Sequence, residues 1–335
     1  MTEARNKKPT KQNMNVFVVV PNWNGEDFLE TCLESLLSQT EKCNVVVVEN
    51  GSVDQSDEIL ASYGNKITVL KQPKNLGFAG GVNVGIKHAI KNGADFVALF
   101  NNDAVADKNW LKNLFTSFKD SPNVMIATPA IIKADKKSLD ALGTSYSIFG
   151  APFPRFRNEN INQASKVPEF VFGGAGGASL YKISLFNEIG LFDEDFFAYY
   201  EEDDLNFRAQ LAGYQVITVP SSKVYHAVGG TSGKIKGFTA QQTAKNFWYL
   251  YTKNMPGWLY IKYLPLASLW YILMFVNRTM NGLFIYFMKG FLASLVNLPK
   301  TFAKRRIVQK NRKVSSKQID SILYHHIPPK NLRPK

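Results

Sequence analysis

Four short, mostly apolar runs between residues 15 and 124 constrain the fold more than any other feature of this sequence. Stretches with apolar residues at helical spacing separate them. A strand that is apolar along its whole length is buried on both faces, as in parallel sheets covered by helices. The alternation predicts an α/β domain with a mostly parallel sheet and right-handed crossovers. The predicted strands are Val16–Val20, Val45–Val48, Ile67–Leu70 and Phe96–Phe100, and the predicted helices include Phe28–Leu37, Ile59–Tyr63 and Gly81–Lys91.

Each predicted strand is followed by polar or glycine-rich residues. Ligands of parallel sheets bind at the carboxyl ends of the strands, so the four segments predict one shared site. An acid at Glu49 can accept a hydrogen bond from N3–H of a uracil or thymine ring. The glycines allow the backbone to approach a sugar or diphosphate closely. The segments are Pro21–Gly25, Glu49–Asp54, Asn75–Gly81 and Asn101–Asp103.

Neither a G-x-G-x-x-G fingerprint nor a P-loop is present, which argues against NAD and ATP binding.

Four adjacent acids, Glu201 to Asp204, follow the aromatic segment Phe196–Tyr200. Solvated acids at a helix N-terminus would be one explanation, through the helix dipole. The aromatic neighbours favour another, because they would desolvate a carboxylate and raise its pKa, as a general base near neutral pH requires. A sugar-transfer enzyme needs such a base to take the proton of the attacking hydroxyl.

Asp103 directly follows the fourth predicted strand, where a carboxylate can hold a divalent cation against a diphosphate. One Asp is not sufficient, and His226 is a candidate second protein ligand. A lone His is otherwise a hydrogen-bonded structural residue.

The net charge of +13 predicts an anionic partner, and the basic excess is concentrated near the C-terminus. Residues 1–14 are expected to be a disordered leader without a signal peptide, residues 15–245 the catalytic domain, and residues 246–335 an aromatic, apolar and then polybasic tail. The two cysteines, Cys32 and Cys43, indicate a reducing compartment rather than a disulfide framework. An apolar segment followed by Lys and Arg fits the headgroup region of an anionic bilayer better than a nucleic acid. A helical hairpin packed on the catalytic domain and a spanning helix remain alternatives.

Taken together, five segments stand in the order of a known family. They are Val20–Gly25, Val48–Asp54, Asn75–Asn83, Asn101–Asp103 and Tyr200–Leu205. On these segments the chain resembles the family 2 glycosyltransferases of the GT-A fold, a nucleotide-sugar-binding α/β fold, and within them the bacterial rhamnosyltransferase branch. The resemblance covers about residues 15–231 and is looser in the tail.

The resemblance implies an inverting, metal-assisted single displacement with Mg²⁺ or Mn²⁺. Asp103 matches the last acid of the family's D-x-D motif, whose first position is Asn101 here, and His226 matches its metal-binding histidine. The base is Glu201 or Glu202, with Glu201 preferred. Asp204 is counted with them among the catalytic residues and is expected to orient Arg208 or a neighbouring loop. The donor-binding residues are predicted to be Pro21, Asn22, Asn24, Glu49, Asn50, Ser52, Asp54, Asn75, Gly77, Gly80, Asn83, Asn101 and Asn102.

The predicted reaction moves a sugar, rhamnose by resemblance, from a UDP- or dTDP-sugar to a lipid-linked or polysaccharide acceptor. The predicted location is the cytoplasmic face of the plasma membrane, where the enzyme is peripheral. A sugar nucleotidyltransferase and a non-catalytic polysaccharide-assembly subunit are the alternatives. The former should carry a basic glycine loop near its N-terminus, and Pro21–Asp27 contains no Lys or Arg; the latter is favoured by Asn101.

Overall fold

The computed structural model of the protein describes residues 14–119, 121–226 and 235–329, so the predicted leader lies outside the described residues except for Met14. The first third of the chain alternates strands and helices as predicted. Strand β1 pairs in parallel with β2 and β4, and β2 pairs in parallel with β3. These elements are β1 Val16–Asn22, α1 Glu26–Leu37, β2 Asn44–Glu49, α2 Ser56–Ser62, β3 Thr68–Lys71, α3 Gly77–Lys91 and β4 Phe96–Leu99.

The middle of the chain completes the same sheet and adds a small hairpin. Its elements are β5 Ala104–Ala106, α4 Trp110–Thr116, β6 Val124–Lys133, β7 Leu139–Leu142, β8 Thr144–Tyr146, β9 Pro152–Pro154, β10 Phe170–Val171, β11 Leu180–Lys182, α5 Ile183–Ile189, α6 Glu201–Leu211 and β12 Gln215–His226. The strand order is β10-β12-β6-β11-β4-β1-β2-β3, with β5 beside β12 and β7 beside β6, while β8 and β9 pair separately. The architecture is the mixed α/β sheet with flanking helices that the sequence predicts.

Strand β12 brings a distant part of the chain to the end of β4. It pairs in parallel with β6 and antiparallel with the short β5, with His226 opposite Ala104. Since Asp103 immediately precedes Ala104, this register places the predicted metal-binding acid and histidine side by side.

Five helices follow: α7 Phe238–Asn254, α8 Gly257–Met280, α9 Phe284–Val296, α10 Leu298–Lys310 and α11 Ser316–Ile322. One apolar core joins them to the catalytic part, because Tyr146 and Phe207 pack in the same cluster as Phe247, Tyr251 and Ile319. The predicted boundary between residues 245 and 246 falls inside α7.

Helix α8 is long and apolar enough to cross a membrane by length and composition, although a third of its most apolar window is buried in the protein. Apolar side chains of α8 and α9 are nevertheless exposed. We call this set the apolar face, and it consists of Trp258, Ile261, Leu269, Ile272, Leu273, Val276, Met280, Phe284, Ile285, Leu292, Leu295 and Val296.

Several residues of the predicted polybasic run form ion pairs or hydrogen bonds with other parts of the protein. Lys300 and Lys304 of α10 form ion pairs with Asp195, and Lys304 also pairs with Asp193. Arg305 donates to the carbonyls of Thr252 and Met255. The first turns of the basic helix therefore dock on the protein.

Candidate active site

A cavity of about 610 Å³ opens at the carboxyl ends of β1, β2 and β4. It is large enough for a nucleotide sugar, since ligand sites in proteins span roughly 300–1,000 Å³. The predicted donor and metal residues that line it are Pro21, Asn22, Asn50, Asn75, Gly77, Asn101, Asn102, Asp103 and His226. Trp23, Phe78, Phe197 and Phe238 add aromatic walls. We call it the donor cavity.

The remaining predicted donor residues do not line this cavity; most of them brace the loops that form it. Asn24 accepts from Val53 N, Ser52 Oγ accepts from Asn24 N, and Asp54 accepts from Glu26 N. Gly80 lies within α3, packed against Leu76. Asn83 exchanges hydrogen bonds with the backbone of Phe192 on the far side of α3.

Glu49 is also buried beneath the donor cavity. One carboxylate oxygen accepts from Asn22 Nδ2 at 2.7 Å, and the other accepts from Ser52 N at 2.7 Å. Asn22 in turn accepts from Asn102 Nδ2 at 2.8 Å. The carboxylate thus fixes the floor of the cavity, and this geometry gives no direct support to its predicted contact with a pyrimidine.

Asp103 and His226 meet between the ends of β4 and β12. Asp103 Oδ1 lies 3.0 Å from His226 Nε2, and Asn101 Nδ2 lies 3.4 Å from the same nitrogen. The other ring nitrogen of His226 lies 3.2 Å from Asp140 Oδ2. Burial alone would lower the pKa of His226, but its hydrogen bonds to Asp103 and Asp140 raise it to about 9.

This pair fits a divalent cation. In a six-coordinate site with ligands at about 2.0–2.1 Å, adjacent ligand atoms lie roughly 3 Å apart, which is the separation of Asp103 Oδ1 and His226 Nε2. A carboxylate behind a metal-binding histidine orients the imidazole ring. Asp140 lies in this position behind His226. Within the described ranges there is no group of three or more His, Cys, Asp or Glu side chains that could hold a metal ion.

A second cavity of about 660 Å³ adjoins the donor cavity, and we call it the acceptor cavity. The acidic residues Glu201, Glu202 and Asp203 line it, together with the hairpin residues Pro152–Pro154 and Arg278 of α8. The two cavities share six wall residues: Phe78, Asn101, Arg157, Ala198, Tyr199 and His226. A molecule in one cavity can therefore meet a molecule in the other beside the Asp103–His226 pair.

Two carboxyl groups in the acceptor cavity have the character of a base. Burial raises the pKa of Glu202 to about 7, against a hydrogen bond from Gly176 N at 2.8 Å. Burial and the charge of Glu202 raise the pKa of Glu201 to about 8. Glu202 is half-buried, whereas Glu201 is 5% exposed and its buried Oε2 has no hydrogen-bond partner among the described residues.

Asp204 lies apart from both cavities. It is fully buried and pairs with Arg208 Nε at 2.8 Å and with Lys253 Nζ at 2.8 Å. Burial acts to raise its pKa, but the charges of Lys253 and Arg208 outweigh this and hold it below its usual range. Of its two predicted roles, a catalytic one and the orientation of Arg208, the geometry supports the second.

The loop before α6 has an unusual backbone. Phe197, Tyr199 and Tyr200 have positive φ angles of 65°, 66° and 72°. Bulky residues rarely adopt this region, so the surrounding structure must hold them there. The buried Asn246 of α7 does so through its amide nitrogen, which lies within hydrogen-bond distance of the carbonyl oxygens of Phe196, Ala198 and Tyr199. A helix of the predicted tail thereby shapes the wall between the two cavities.

Asp140, Arg157, Asn246 and Arg278 belong to this site or its support and were not predicted from the sequence. They lie in segments without a recognisable motif. Only the strand register, the hairpin and the packing of α7 and α8 bring them to the cavities, and no local pattern in the sequence signals those contacts.

Comparisons with known proteins identify a family and several similar chains. The family model described as glycosyl transferase family 2 matches residues 17–190, just over half of the chain. The dTDP-rhamnosyl transferase RfbF of Shigella flexneri is 26% identical over 226 residues, covering 67% of this chain and 73% of that protein. The N-acetylglucosaminyl-diphospho-decaprenol L-rhamnosyltransferase of Mycobacterium tuberculosis is 24% identical over 264 residues, covering 72% of this chain and 85% of that protein.

Among solved structures, the mannosyltransferase PcManGT from Pyrobaculum calidifontis, in complex with GDP-Man and Mn²⁺, has the same fold. Its TM-score is 0.52 with 17% sequence identity, covering 84% of this chain and 87% of that chain.

Proposed function

Because this chain belongs to glycosyl transferase family 2, we propose that it is an inverting transferase that moves a sugar from a UDP- or dTDP-sugar to a lipid-linked saccharide. One observation carries the proposal: the donor and acceptor cavities meet beside Asp103 and His226, with Glu202 on the acceptor side. Rhamnose is the proposed sugar, because two similar proteins are named as rhamnosyltransferases. The acceptor class follows the diphospho-decaprenol of the second name.

In the proposed reaction Glu202 takes the proton of an acceptor hydroxyl. The oxygen attacks the anomeric carbon from the face opposite the diphosphate, the bond from that carbon to the phosphate oxygen breaks, and the configuration inverts. The hydrogen bond from Gly176 N orients one oxygen of Glu202. The preference for Glu202 over Glu201 rests on its greater exposure, which leaves its second oxygen open to the cavity.

Asp103 and His226 are the proposed holders of Mg²⁺ or Mn²⁺. When bound, such a cation offsets the negative charge of the departing diphosphate. Asp140 keeps the His226 ring in place, and Asn101 lies against the same ring. Asn101, which replaces an acid, thus contacts the candidate metal-binding histidine. Its presence does not by itself favour the non-catalytic alternative.

We further propose that the protein lies on the inner face of the plasma membrane. The apolar face of α8 and α9 supports this, as do the exposed Arg306 and Lys310 of α10. Exposed apolar surface beside basic side chains is typical of proteins that bind anionic bilayers.

The test is release of nucleoside diphosphate from a panel of UDP- and dTDP-sugars, including dTDP-rhamnose, with Mn²⁺, Mg²⁺ or EDTA. We expect metal-dependent transfer from one donor to a glycolipid acceptor. Glu202→Gln should lower kcat by roughly 10²- to 10⁴-fold, the usual contribution of a general base, and leave donor binding intact. Glu201→Gln is the matched control with a smaller expected loss. Absence of transfer from every donor by folded protein would contradict the proposal, and a larger loss in Glu201→Gln would move the base to Glu201.

A further inference from the structure

Arg278 is a cation in the acceptor cavity that the proposed chemistry does not use. It lies in the last turn of α8 and lines the same cavity as Glu201 and Glu202. Its Nε atom is buried and has no hydrogen-bond partner among residues 14–119, 121–226 and 235–329. A buried donor left unpaired is costly, so a position of this kind points to a missing acceptor.

The other arginine in the acceptor cavity has a partner. Arg157 Nε lies 3.2 Å from Asp140 Oδ1, whereas no described carboxylate comes within 4.0 Å of the Arg278 guanidinium. The charge of Arg278 therefore remains available to a ligand in the cavity.

The end of α8 that carries Arg278 also carries exposed apolar side chains. Val276 and Met280 of α8 and Phe284 and Ile285 of α9 are all exposed, and Met280 is 82% exposed. We call these four side chains the α8–α9 corner. The C-terminal end of α8 thus contributes both to a polar cavity that contains the candidate base and to an apolar surface that faces solvent.

The polar cavity, the cation and the exposed apolar surface together match one kind of molecule. In a glycolipid whose sugar is linked to its lipid through phosphate, a polar sugar, an anionic group and an apolar chain follow one another in that order. Arginine suits the middle part, since its planar guanidinium binds phosphate oxygens in a bidentate manner.

We propose that Arg278 binds the phosphate that joins the acceptor sugar to its lipid, and that the lipid chain leaves the cavity over the α8–α9 corner. The inference rests on the proposed function, because it assumes that the acceptor sugar lies beside Glu202. It adds the residue of this chain that binds the phosphate of such an acceptor. Arg278 is a binding residue for that acceptor and takes no part in proton transfer.

The test measures binding without donor, using two soluble probes: N-acetylglucosaminyl diphosphate with a ten-carbon chain, and decyl N-acetylglucosaminide without phosphate. Arg278→Gln should weaken binding of the diphosphate probe roughly 10- to 100-fold, the value of a charge-assisted hydrogen bond or two. Binding of the phosphate-free probe should change by less than about threefold. Arg278→Lys should retain part of the affinity, because the charge remains without the planar fork. Lys112→Gln, the same charge change at an exposed residue that lines neither cavity, should match wild type.

A second variant tests the path of the chain and does not depend on Arg278. Met280→Glu should weaken binding of the ten-carbon diphosphate probe. Binding of N-acetylglucosamine 1-phosphate, which has no chain, should stay unchanged. Unchanged binding of the diphosphate probe by Arg278→Gln would overturn the proposal, and so would equal loss of both ten-carbon probes. Loss of binding to phosphatidylglycerol vesicles with the diphosphate probe still bound would instead assign Arg278 to bulk lipid headgroups and also overturn it.

Failure of the proposed function gives a different pattern. If wild type transfers sugar from no donor but binds the diphosphate probe through Arg278, the transferase proposal fails and the phosphate site remains. If wild type transfers sugar and Arg278→Gln has an unchanged KM for the diphosphate acceptor, the phosphate site is refuted and the transferase proposal stands.

Discussion

Glu202 has the surroundings that a base at neutral pH needs. Burial raises its pKa to about 7, and the hydrogen bond from Gly176 N fixes one carboxylate oxygen. A base is most effective when its pKa lies near the working pH, because it is then both deprotonated and sufficiently basic. The same desolvation acts on Glu201 without an orienting donor from another loop.

The raised pKa predicts how the rate depends on pH. The base acts only when deprotonated, so kcat should fall as pH drops below about 7, approaching tenfold per pH unit. The measurement is kcat between pH 5.5 and 9 at saturating donor and acceptor, with donor affinity followed separately as the control. A rate that stays constant down to pH 5.5 would show that the base has an ordinary carboxyl pKa.

Asp140 gives a second prediction at the same scale. It lies behind His226, and carboxylates in this position typically contribute 10- to 100-fold to metal affinity. We expect Asp140→Asn to raise the Mn²⁺ concentration for half-maximal activity by roughly that factor, while saturating Mn²⁺ restores most of the rate. Asp57→Asn, at an exposed ion pair with Lys71, is the matched control and should titrate like wild type. A lower maximal rate with an unchanged Mn²⁺ requirement would contradict this role.

The sequence predicted the residues at the centre of this site better than the residues that hold them in position. Asp103, His226, Glu201 and Glu202 were all proposed from motifs, and they line the two adjoining cavities. Asp140 was missed because only the pairing of β7 with β6 brings it near His226. The contact of Glu49 with a pyrimidine stays a prediction; in the structure its two oxygens accept hydrogen bonds from Asn22 and Ser52.

At the scale of elements, a buried ionic network connects α6 to the C-terminal helices. Asp204 of α6 pairs with Lys253 of α7, which also pairs with Asp193 at 2.6 Å. Asp193 in turn pairs with Lys304 of α10. Each carboxylate thus holds more than one element, and the orientation of α6 depends on helices far along the sequence.

Removal of the central cation should therefore be costly. Lys253→Met leaves two buried carboxylates short of a partner and should lower the free energy of unfolding by about 3 kcal/mol, as expected when one member of a buried pair is lost. Lys300→Met is the matched control. The Lys300 side chain is 57% exposed, and exposed pairs contribute about 0–1 kcal/mol. Urea unfolding followed by circular dichroism would measure the free energy of unfolding of both variants. Losses of similar size in the two variants would show that the network does not stabilise the protein.

The predictability of the elements follows the strength of their patterns. Strands β1, β2 and β4 were predicted because each contains a continuous apolar run that ends in a polar segment, and β3 was predicted although Thr68 interrupts its run. The long pair β6 and β12 was not predicted, because prolines interrupt both strands and their register shifts between Val219 and Lys223. The four adjacent acids of α6 give no apolar periodicity for its first turn.

For the whole molecule, the apolar face and the net charge of +13 point towards the same partner. Apolar side chains supply affinity for any bilayer, whereas Lys and Arg select anionic lipids. Since Lys300 and Lys304 are already paired with acids, the charge available for lipids is smaller than the count of basic residues.

Vesicle binding would test this surface. Ile272→Glu combined with Leu273→Glu should weaken binding to phosphatidylglycerol vesicles at least about tenfold, because each exposed apolar side chain that enters the bilayer contributes on the order of 1 kcal/mol or more. Wild-type binding should weaken between 0.1 and 0.5 M NaCl. Val167→Glu, an exposed apolar residue far along the chain from α8 and α9, is the control. Unchanged binding by the double variant would rule out the apolar face as the contact.

The shared core also governs the order in which the protein can mature during synthesis. Ile319 and Leu323 pack in the same cluster as Tyr146 and Phe207. A ribosome must therefore complete α11 before this core can close around the catalytic helix. Until then the nascent chain exposes large aromatic side chains that are prone to aggregate. Completion of this core is therefore a late step in the synthesis of the protein.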